Sequence, residues 1–177
     1  MSGFFDRVRG GLSPNTPMGF SLGSLMGVVI TCFNDNGWKF GQAEHSNVLR
    51  FGFAGKNANY EGVIVVEEAP EDILMLLRAP NNVPESRRLA VAEFLTRANY
   101  GMKFGVFEMD FGDGDVRFKM STVLREGQLS PQMVHAMIGI SLTTLDRHYP
   151  ALMAVCFGNQ LASEAAAAVR ARQAEEG

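Results

Sequence analysis

Residues 104–123, FGVFEMDFGDGDVRFKMSTV, constrain the fold more than any other stretch of the chain. Apolar and charged side chains alternate on both sides of the segment Gly112–Asp115. A period of two is typical of a strand with one buried face and one face in solvent. Because glycine accepts positive φ and aspartate bonds its own backbone, the central segment favours a turn. The stretch therefore predicts an antiparallel β-hairpin.

One register of this hairpin satisfies both faces at once. Pairing Phe111 with Val116 keeps the apolar side chains of the two strands on one face. The same register places two pairs of opposite charges face to face: Glu108 with Lys119 and Asp110 with Arg117. Since facing opposite charges stabilise a sheet, we expect this register.

Four earlier stretches have the pattern of strands. Leu49, Phe51 and Phe53 alternate in one of them, and the run Val63–Val66 is apolar on both faces of another, which predicts a central strand. The predicted strands are Trp38–His45, Val48–Ala54, Tyr60–Glu67 and Ile73–Arg78. The short turns between them are typical of an antiparallel meander. The chain is therefore expected to be α+β, with a single antiparallel sheet of about six strands packed with helices.

The uncharged run Met18–Phe33 predicts a first helix, in the core, that ends near Asn36 and Gly37. Glycine recurs every fourth residue in this run, which on a helix gives one face where another backbone can approach closely. The three glycines are Gly19, Gly23 and Gly27. Because the run is shorter than the roughly 20 apolar residues of a spanning helix, no membrane insertion is expected.

Two later helices follow from apolar spacing and from their caps. Pro84 suits the first position of one helix, whose apolar residues recur at i, i+3, i+4 and i+7: Val91, Phe94, Leu95 and Ala98. Ser130 is the expected N-cap of the other helix, which runs to Tyr149. Because Pro150 lacks a backbone N–H, we expect a kink or break there, followed by a short helix, Ala151–Phe157.

Composition divides the chain into three parts. Residues 1–17 contain two prolines and a Gly-Gly pair and are expected to form a flexible lead. We expect residues 18–158 to form the α+β domain and residues 159–177 to form an Ala-rich helical tail. The tail is helical by propensity but has little apolar surface to bury, so we expect a helix that is loosely docked or frayed.

Charge and cysteine content narrow the class of protein. The net charge is -3 and the basic residues are scattered, whereas nucleic-acid-binding domains are usually strongly basic. No nucleic-acid partner is therefore expected. Cys32 and Cys156 each lie in an apolar run, which predicts two buried free thiols and a reducing, cytoplasmic location. A disulfide between the two is the alternative.

The sequence contains no pattern that we recognise as catalytic or metal-binding. Asp110, Asp113 and Asp115 have the spacing of a hairpin turn, not the one, three, five spacing of an EF-hand loop. The three histidines are His45, His135 and His148. They form no HExxH pair, and GxSxG and phosphate-loop motifs are also missing. We therefore predict no catalytic residues, no cofactor and no metal.

The segment Leu89–Lys119 resembles the YbjN family of bacterial proteins. The resemblance is carried by a helix that ends in Asn99-Tyr100-Gly101, a strand that begins Gly105-Val106-Phe107-Glu108, and the return strand Asp113-Gly114-Asp115-Val116-Arg117-Phe118. It extends over residues 35–158, and the uncharged, Gly-rich first helix departs from the family pattern. The resemblance implies a non-enzymatic regulator of sensory transduction with a fold similar to type III secretion chaperones.

The helix that begins after Ser130 has a wider apolar arc than one sheet face requires. Methionine is adaptable and common on binding surfaces, so we predict an interaction surface at Met133, Met137, Ile140 and Met153. Core packing of these residues is the alternative. The predicted function is a chaperone-like, protein-interaction regulatory module whose partner is another protein, with a homodimer as one form. The alternative function is a sensor domain that responds to a small ligand or a metal.

Overall fold

The computed structural model describes residues 13–14, 24–42, 46–124 and 128–176. In these residues the strands β1 to β7 are Ser13–Pro14, Phe40–Gln42, Val48–Ala54, Asn59–Glu68, Glu71–Arg78, Val106–Met109 and Val116–Val123. The α-helices α1 to α4 are Leu25–Asp35, Arg88–Asn99, Pro131–Phe157 and Ala162–Glu176. A 3₁₀-helix, Glu85–Arg87, leads into α2.

The predicted α+β fold with one antiparallel sheet is confirmed. The strands follow the order β1-β2-β3-β4-β5-β7-β6, and every neighbouring pair is antiparallel. Six of these strands are longer than two residues, and β1 adds a two-residue pair at one edge. β4 is central, as its apolar run predicts. Ile64 faces the main core, whereas Val63 is buried on the second face beside Leu76.

The main core lies between the first face of the sheet and helices α1, α2 and α3. Phe33 of α1 contacts the rings of Phe40 and Phe51, with centroids 5.7 and 5.4 Å apart. In α2, Phe94 is fully buried, as the helical spacing predicts. Burial of such large side chains from several elements positions the three helices on one side of the sheet.

The hairpin of β6 and β7 is present, but its predicted register is wrong by two residues. Val116 pairs with Met109 and not with Phe111. The cause is a longer turn, closed by main-chain hydrogen bonds from Asp110 N to Asp115 O at 2.9 Å and from Gly114 N to Asp110 O at 2.8 Å. Because the shift is an even number of residues, the apolar and polar faces remain as predicted.

In the observed register, the charged residues of this hairpin form ion pairs that differ in part from the predicted ones. Glu108 lies opposite Arg117 and contacts it at 2.5 Å, so Arg117 does not take the predicted partner, Asp110. The predicted contact between Glu108 and Lys119 is nevertheless present at 2.6 Å, now as a diagonal pair. Burial alone would raise the pKa of Glu108, but hydrogen bonds from Lys119 and Arg117 lower it.

Helix α1 begins at Leu25, seven residues after the start of the uncharged run that predicted it. Ser24 is extended and its Oγ accepts a hydrogen bond from Gly27 N at 3.1 Å. The Glu68 carboxylate accepts from the N–H groups of Leu25 and Met26, both at 3.2 Å. A carboxylate from a distant strand thus satisfies donors that the first turn leaves free.

The end of α1 agrees with the prediction. Asn36 follows the last helical residue, and Gly37 adopts a φ of 64° that favours glycine. Gly19 and Gly23, two of the three spaced glycines, lie outside the described residues.

Helix α3 continues through Pro150 to Phe157, so the predicted break at this proline is wrong. A proline removes the donor for the carbonyl four residues earlier, which here belongs to Asp146. Asn57 Nδ2 donates to that carbonyl at 2.9 Å. An external side chain therefore replaces the missing bond within the helix.

The tail helix α4 is packed against α2 and α3, contrary to the expected loose docking. Its buried residues are spaced as one helical stripe: Ala162, Ala165, Ala166 and Val169. Small side chains allow two helices to approach closely, so a stripe of alanines can bury a helix that has few large apolar residues. Over the residues described, none of the helices is long and apolar enough to cross a membrane.

Candidate functional site

Helix α3 carries all four residues of the predicted interaction surface. Its cap is as predicted, because Ser130 Oγ accepts a hydrogen bond from Met133 N at 3.2 Å. The side of α3 that faces the core repeats at intervals of three and four residues: Val134, Ile138, Ser141, Leu145 and His148. The residues on the two flanks of this buried side contact different parts of the protein.

Three of the four predicted surface residues lie together. Met133 is 41% exposed, and Met137 and Ile140 are half-buried at the edge of the core. Spacings of four and three residues place them along one flank of α3, which we call the α3 stripe. Met153 lies about 160° around the helix from Met137, given 3.6 residues per turn. It is also half-buried, so the structure separates it from the other three.

The opposite flank of α3 packs against aromatic residues from distant parts of the chain, which the sequence does not predict. His135 stacks on Trp38, with ring centroids 5.2 Å apart and an interplanar angle of 21°. Trp38 in turn packs edge-on against Phe53 at 5.1 Å. These rings connect α3 to the segment after α1 and to β3, so His135 has a packing role.

Asp146 ties this same flank to the turn between β3 and β4. Its carboxylate accepts hydrogen bonds from Asn57 N at 2.8 Å, Lys56 N at 3.2 Å and Tyr60 Oη at 2.8 Å. Burial alone would raise the pKa of Asp146, but these hydrogen bonds outweigh it and lower the pKa. A side chain at Gly55 would place its Cβ 2.3 Å from Asp146 Oδ1, so the turn requires glycine. The carboxylate thus joins α3 to the β3–β4 turn, and we call this set of hydrogen bonds the Asp146 latch.

The acidic tip of the hairpin has turn chemistry, as its spacing predicts. Asp110 Oδ1 accepts from Gly112 N at 2.7 Å, and Asp113 Oδ1 accepts from Asp115 N at 2.8 Å. Arg78 contacts the Asp115 carboxylate, although burial still raises the pKa of Asp115. Across the described ranges, no cluster of three or more His, Cys, Asp or Glu residues could hold a metal ion.

The remaining titratable candidates are buried or lie outside the described residues. Both Cys32 and Cys156 are buried free thiols, as predicted, and burial raises the pKa of Cys156 to about 11. His148 is 4% exposed, and its Nδ1 lies 2.7 Å from the Thr144 carbonyl. Burial lowers the pKa of His148. His45 lies outside the described residues.

An open groove of about 470 Å³ adjoins the α3 stripe. Its walls are the end of α2 with the loop that follows, the middle of α3, and α4. The residues of α3 that line the groove are Ile140, Thr144 and His148. Three basic residues also line it: Arg97, Lys103 and Arg170. We call it the α3–α4 groove. The groove is not predictable from the sequence, because its residues come from three separated parts of the chain.

Comparison with known proteins identifies the family. Residues 27–154 match the model of the YbjN family, described as "Putative bacterial sensory transduction regulator". The chain belongs to the YbjN family. It is also similar to a solved structure, "Crystal structure of YbjN, a putative transcription regulator from E. coli", at 14% identity and a TM-score of 0.49. That match covers 66% of this chain and 82% of the other. The comparison with curated proteins found no match.

The YbjN match spans most of the sheet and most of α3, and with them the α3 stripe. The predicted resemblance is therefore confirmed, although the match begins at residue 27 and not at 35, and so includes most of α1. Helix α4 begins at Ala162, beyond the end of the matched residues. One wall of the α3–α4 groove is thus built by a part of the chain that the YbjN match does not include. A regulatory role follows from the family, whose description names no enzymatic activity.

Proposed function

We propose that this chain is a non-enzymatic, chaperone-like module of sensory regulation that acts by binding another protein through the α3 stripe. The observation that carries the proposal is the 41% exposure of Met133, a large apolar side chain beside the side of α3 that faces the core. Met137 and Ile140 continue the same apolar strip without a break in spacing.

The chemistry of the stripe suits a protein partner. Methionine offers adaptable apolar contact and isoleucine adds aliphatic surface, neither with a directional polar group, which favours an apolar segment of another chain over a polar small molecule. The two buried free thiols support a reducing compartment, and we place the protein in the cytoplasm on that basis.

Affinity capture from the native host with quantitative mass spectrometry tests the proposal. Met133→Glu places a charge in the stripe, whereas Leu89→Glu is a matched control at another exposed apolar residue, 80% exposed on α2. We expect one dominant partner with the wild type and with Leu89→Glu, and its loss with Met133→Glu. The purified partner should then bind Met133→Glu at least tenfold more weakly in calorimetry. Equal binding by both variants contradicts the proposal.

The protein partner in this proposal can be a second copy of the same chain, which gives a homodimer. Light scattering over a range of protein concentrations distinguishes it from a different protein. In that case the wild type and Leu89→Glu form dimers, and Met133→Glu remains monomeric. A strict monomer that also captures no protein from the host argues against the proposed function as a whole.

A further inference from the structure

The α3–α4 groove is basic, whereas the chain as a whole has a net negative charge. Among the described residues that line it, the three charged ones are all basic and none is acidic. The whole chain, in contrast, has 19 acidic and 16 basic residues. A second groove, at the end of β3 and β4, is lined by both Glu61 and Arg78 and so has no single sign of charge.

Two of the three cations have no carboxylate partner among the described residues, although Arg170 Nη1 donates to the Arg97 carbonyl at 3.5 Å. Arg97 pairs with Glu93 at 2.7 Å. Lys103 and Arg170, by comparison, form no ion pair with a carboxylate of the described chain. Lys103 Nζ instead lies 5.1 Å from the centroid of the Phe104 ring. Like charges that converge on a concave surface without a counter-charge attract an anion.

The groove also offers apolar and aromatic contact. Tyr100 and Phe104 lie at its edge and are 89% and 52% exposed, respectively. Ile140 and Val169 add aliphatic surface. Exposed aromatic rings around a concavity of this size are typical of small-molecule sites and provide stacking surface for a planar ligand.

His148 adds one polar group to the groove. Because a carbonyl only accepts hydrogen bonds, the contact at 2.7 Å means that His148 Nδ1 donates to Thr144 O. In the neutral ring, Nε2 is then the acceptor. The ring is fixed by the Thr144 contact and by Phe107, whose ring centroid is 5.1 Å away. An acceptor of fixed position among the residues that line the groove is suited to a hydroxyl or N–H group on the ligand.

We propose that the α3–α4 groove binds a small organic anion with an aromatic body, in which Lys103 and Arg170 contact the anionic group and Tyr100 and Phe104 contact the ring. The site adjoins the proposed protein surface and shares Ile140 with it, but it includes neither Met133 nor Met137. The shared chemistry of the ligand is an anionic carboxylate or phosphate group attached to a planar apolar ring.

An NMR titration of the full chain, labelled with ¹⁵N, tests this proposal with matched probes. The probes are 1-naphthoate, its neutral counterpart 1-naphthamide, and 1-naphthyl phosphate. We expect 1-naphthoate to shift the amide signals of Tyr100, Phe104 and Val169, and 1-naphthamide to bind at least fivefold more weakly. The ratio of the naphthoate and naphthyl phosphate affinities distinguishes a carboxylate ligand from a phosphate ligand.

Charge-removing variants identify the contacting groups. The double variant Lys103→Gln with Arg170→Gln should weaken 1-naphthoate binding at least tenfold. Arg172→Gln is the matched control, because it removes the same charge from α4 at a residue that does not line this groove. Met133→Glu should bind 1-naphthoate like the wild type, so failure of the proposed function and failure of this site are distinguishable.

Three results would overturn the proposal. The first is that 1-naphthoate shifts only amide signals of residues outside the groove. The second is that 1-naphthamide binds as tightly as 1-naphthoate. The third is a tetraglutamate peptide that binds as tightly as 1-naphthoate, since this would indicate a surface for an acidic protein segment. Unfolding temperatures of all variants show whether the double variant retains its fold, and Arg170→Gln alone provides the test if it does not.

Discussion

Asn57 donates a hydrogen bond of 2.9 Å to the main-chain carbonyl of Asp146, 89 residues later in the chain. This carbonyl would otherwise lack a donor, because Pro150 has no N–H at the position where α3 needs one. The same Asn57 side chain also donates to Asp146 Oδ2 at 3.1 Å. A single amide therefore permits a long helix to pass through a proline and joins that helix to the sheet.

Asn57→Ala should lower the free energy of unfolding by about 0.5–1.5 kcal/mol, because it removes the protein donor of the Asp146 carbonyl at a site that water can reach. A double-mutant cycle with Pro150→Ala checks this cause. Alanine at position 150 restores the donor within the helix, so the cost of Asn57→Ala should fall by about 0.5–1 kcal/mol in that background. Urea unfolding measures both values. An equal cost in the two backgrounds contradicts the proposed coupling.

Asp146 gives a pH-dependent contribution to stability whose sign follows from its lowered pKa. The unfolded chain binds the proton first as the pH falls, so the stabilisation is present above the ordinary pKa of 3.8 and is lost as the pH falls through the lower pKa of the folded state. Asp146→Asn should cost about 1 kcal/mol at pH 7, because the carboxylate is partly exposed and screened. Urea unfolding at several pH values should show this difference shrinking towards pH 2.

Glu164→Gln is the control for that experiment, since this carboxylate lies exposed near the start of α4. Its effect should be small at every pH. A difference between the wild type and Asp146→Asn that stays constant from pH 7 to pH 2 would show that the charge of Asp146 is not what stabilises the latch.

Asn99 protects the outer edge of β6. Its side chain accepts from Phe107 N at 2.7 Å and donates to Phe107 O at 2.9 Å, as a neighbouring strand would. Asn99→Ala should therefore destabilise the fold by about 1–3 kcal/mol and speed hydrogen exchange of the Phe107 amide. Thr96→Ala, which removes a bond to Ala92 O within α2, is the control. Unchanged exchange at Phe107 would rule out this role.

The register of the β6–β7 hairpin can be tested by a disulfide. Val106 is paired with Lys119, and facing Cα atoms in an antiparallel pair are about 4.5–5.5 Å apart, within reach of a disulfide. Val106→Cys with Lys119→Cys should form the bond readily under mild oxidation. The register predicted from the sequence would instead place residue 106 opposite Ser121. Faster oxidation of Val106→Cys with Ser121→Cys, measured by non-reducing mass spectrometry, would contradict the observed pairing.

The candidate surfaces were predictable in part. Met133, Met137 and Ile140 lie on one flank of a helix, as their spacing indicates, because helical geometry is local. Met153 is grouped with them because it is also a methionine, but it lies on another flank of the helix. The sequence around it does not indicate which flank faces solvent. The cations of the α3–α4 groove were not predictable, because Arg97, Lys103 and Arg170 meet only after α4 packs against α2.

The sequence by itself determined the α+β class, the faces of the strands, the cap of α3 and the family. These depend on periodicity, on cap chemistry and on motifs, all of which act over a few residues. The tertiary structure decided where α1 begins, because Glu68 supplies its acceptor, and whether α3 passes Pro150, because Asn57 supplies the donor. Both contacts join residues more than 40 positions apart, and no local pattern encodes which distant side chain will satisfy an unpaired backbone group.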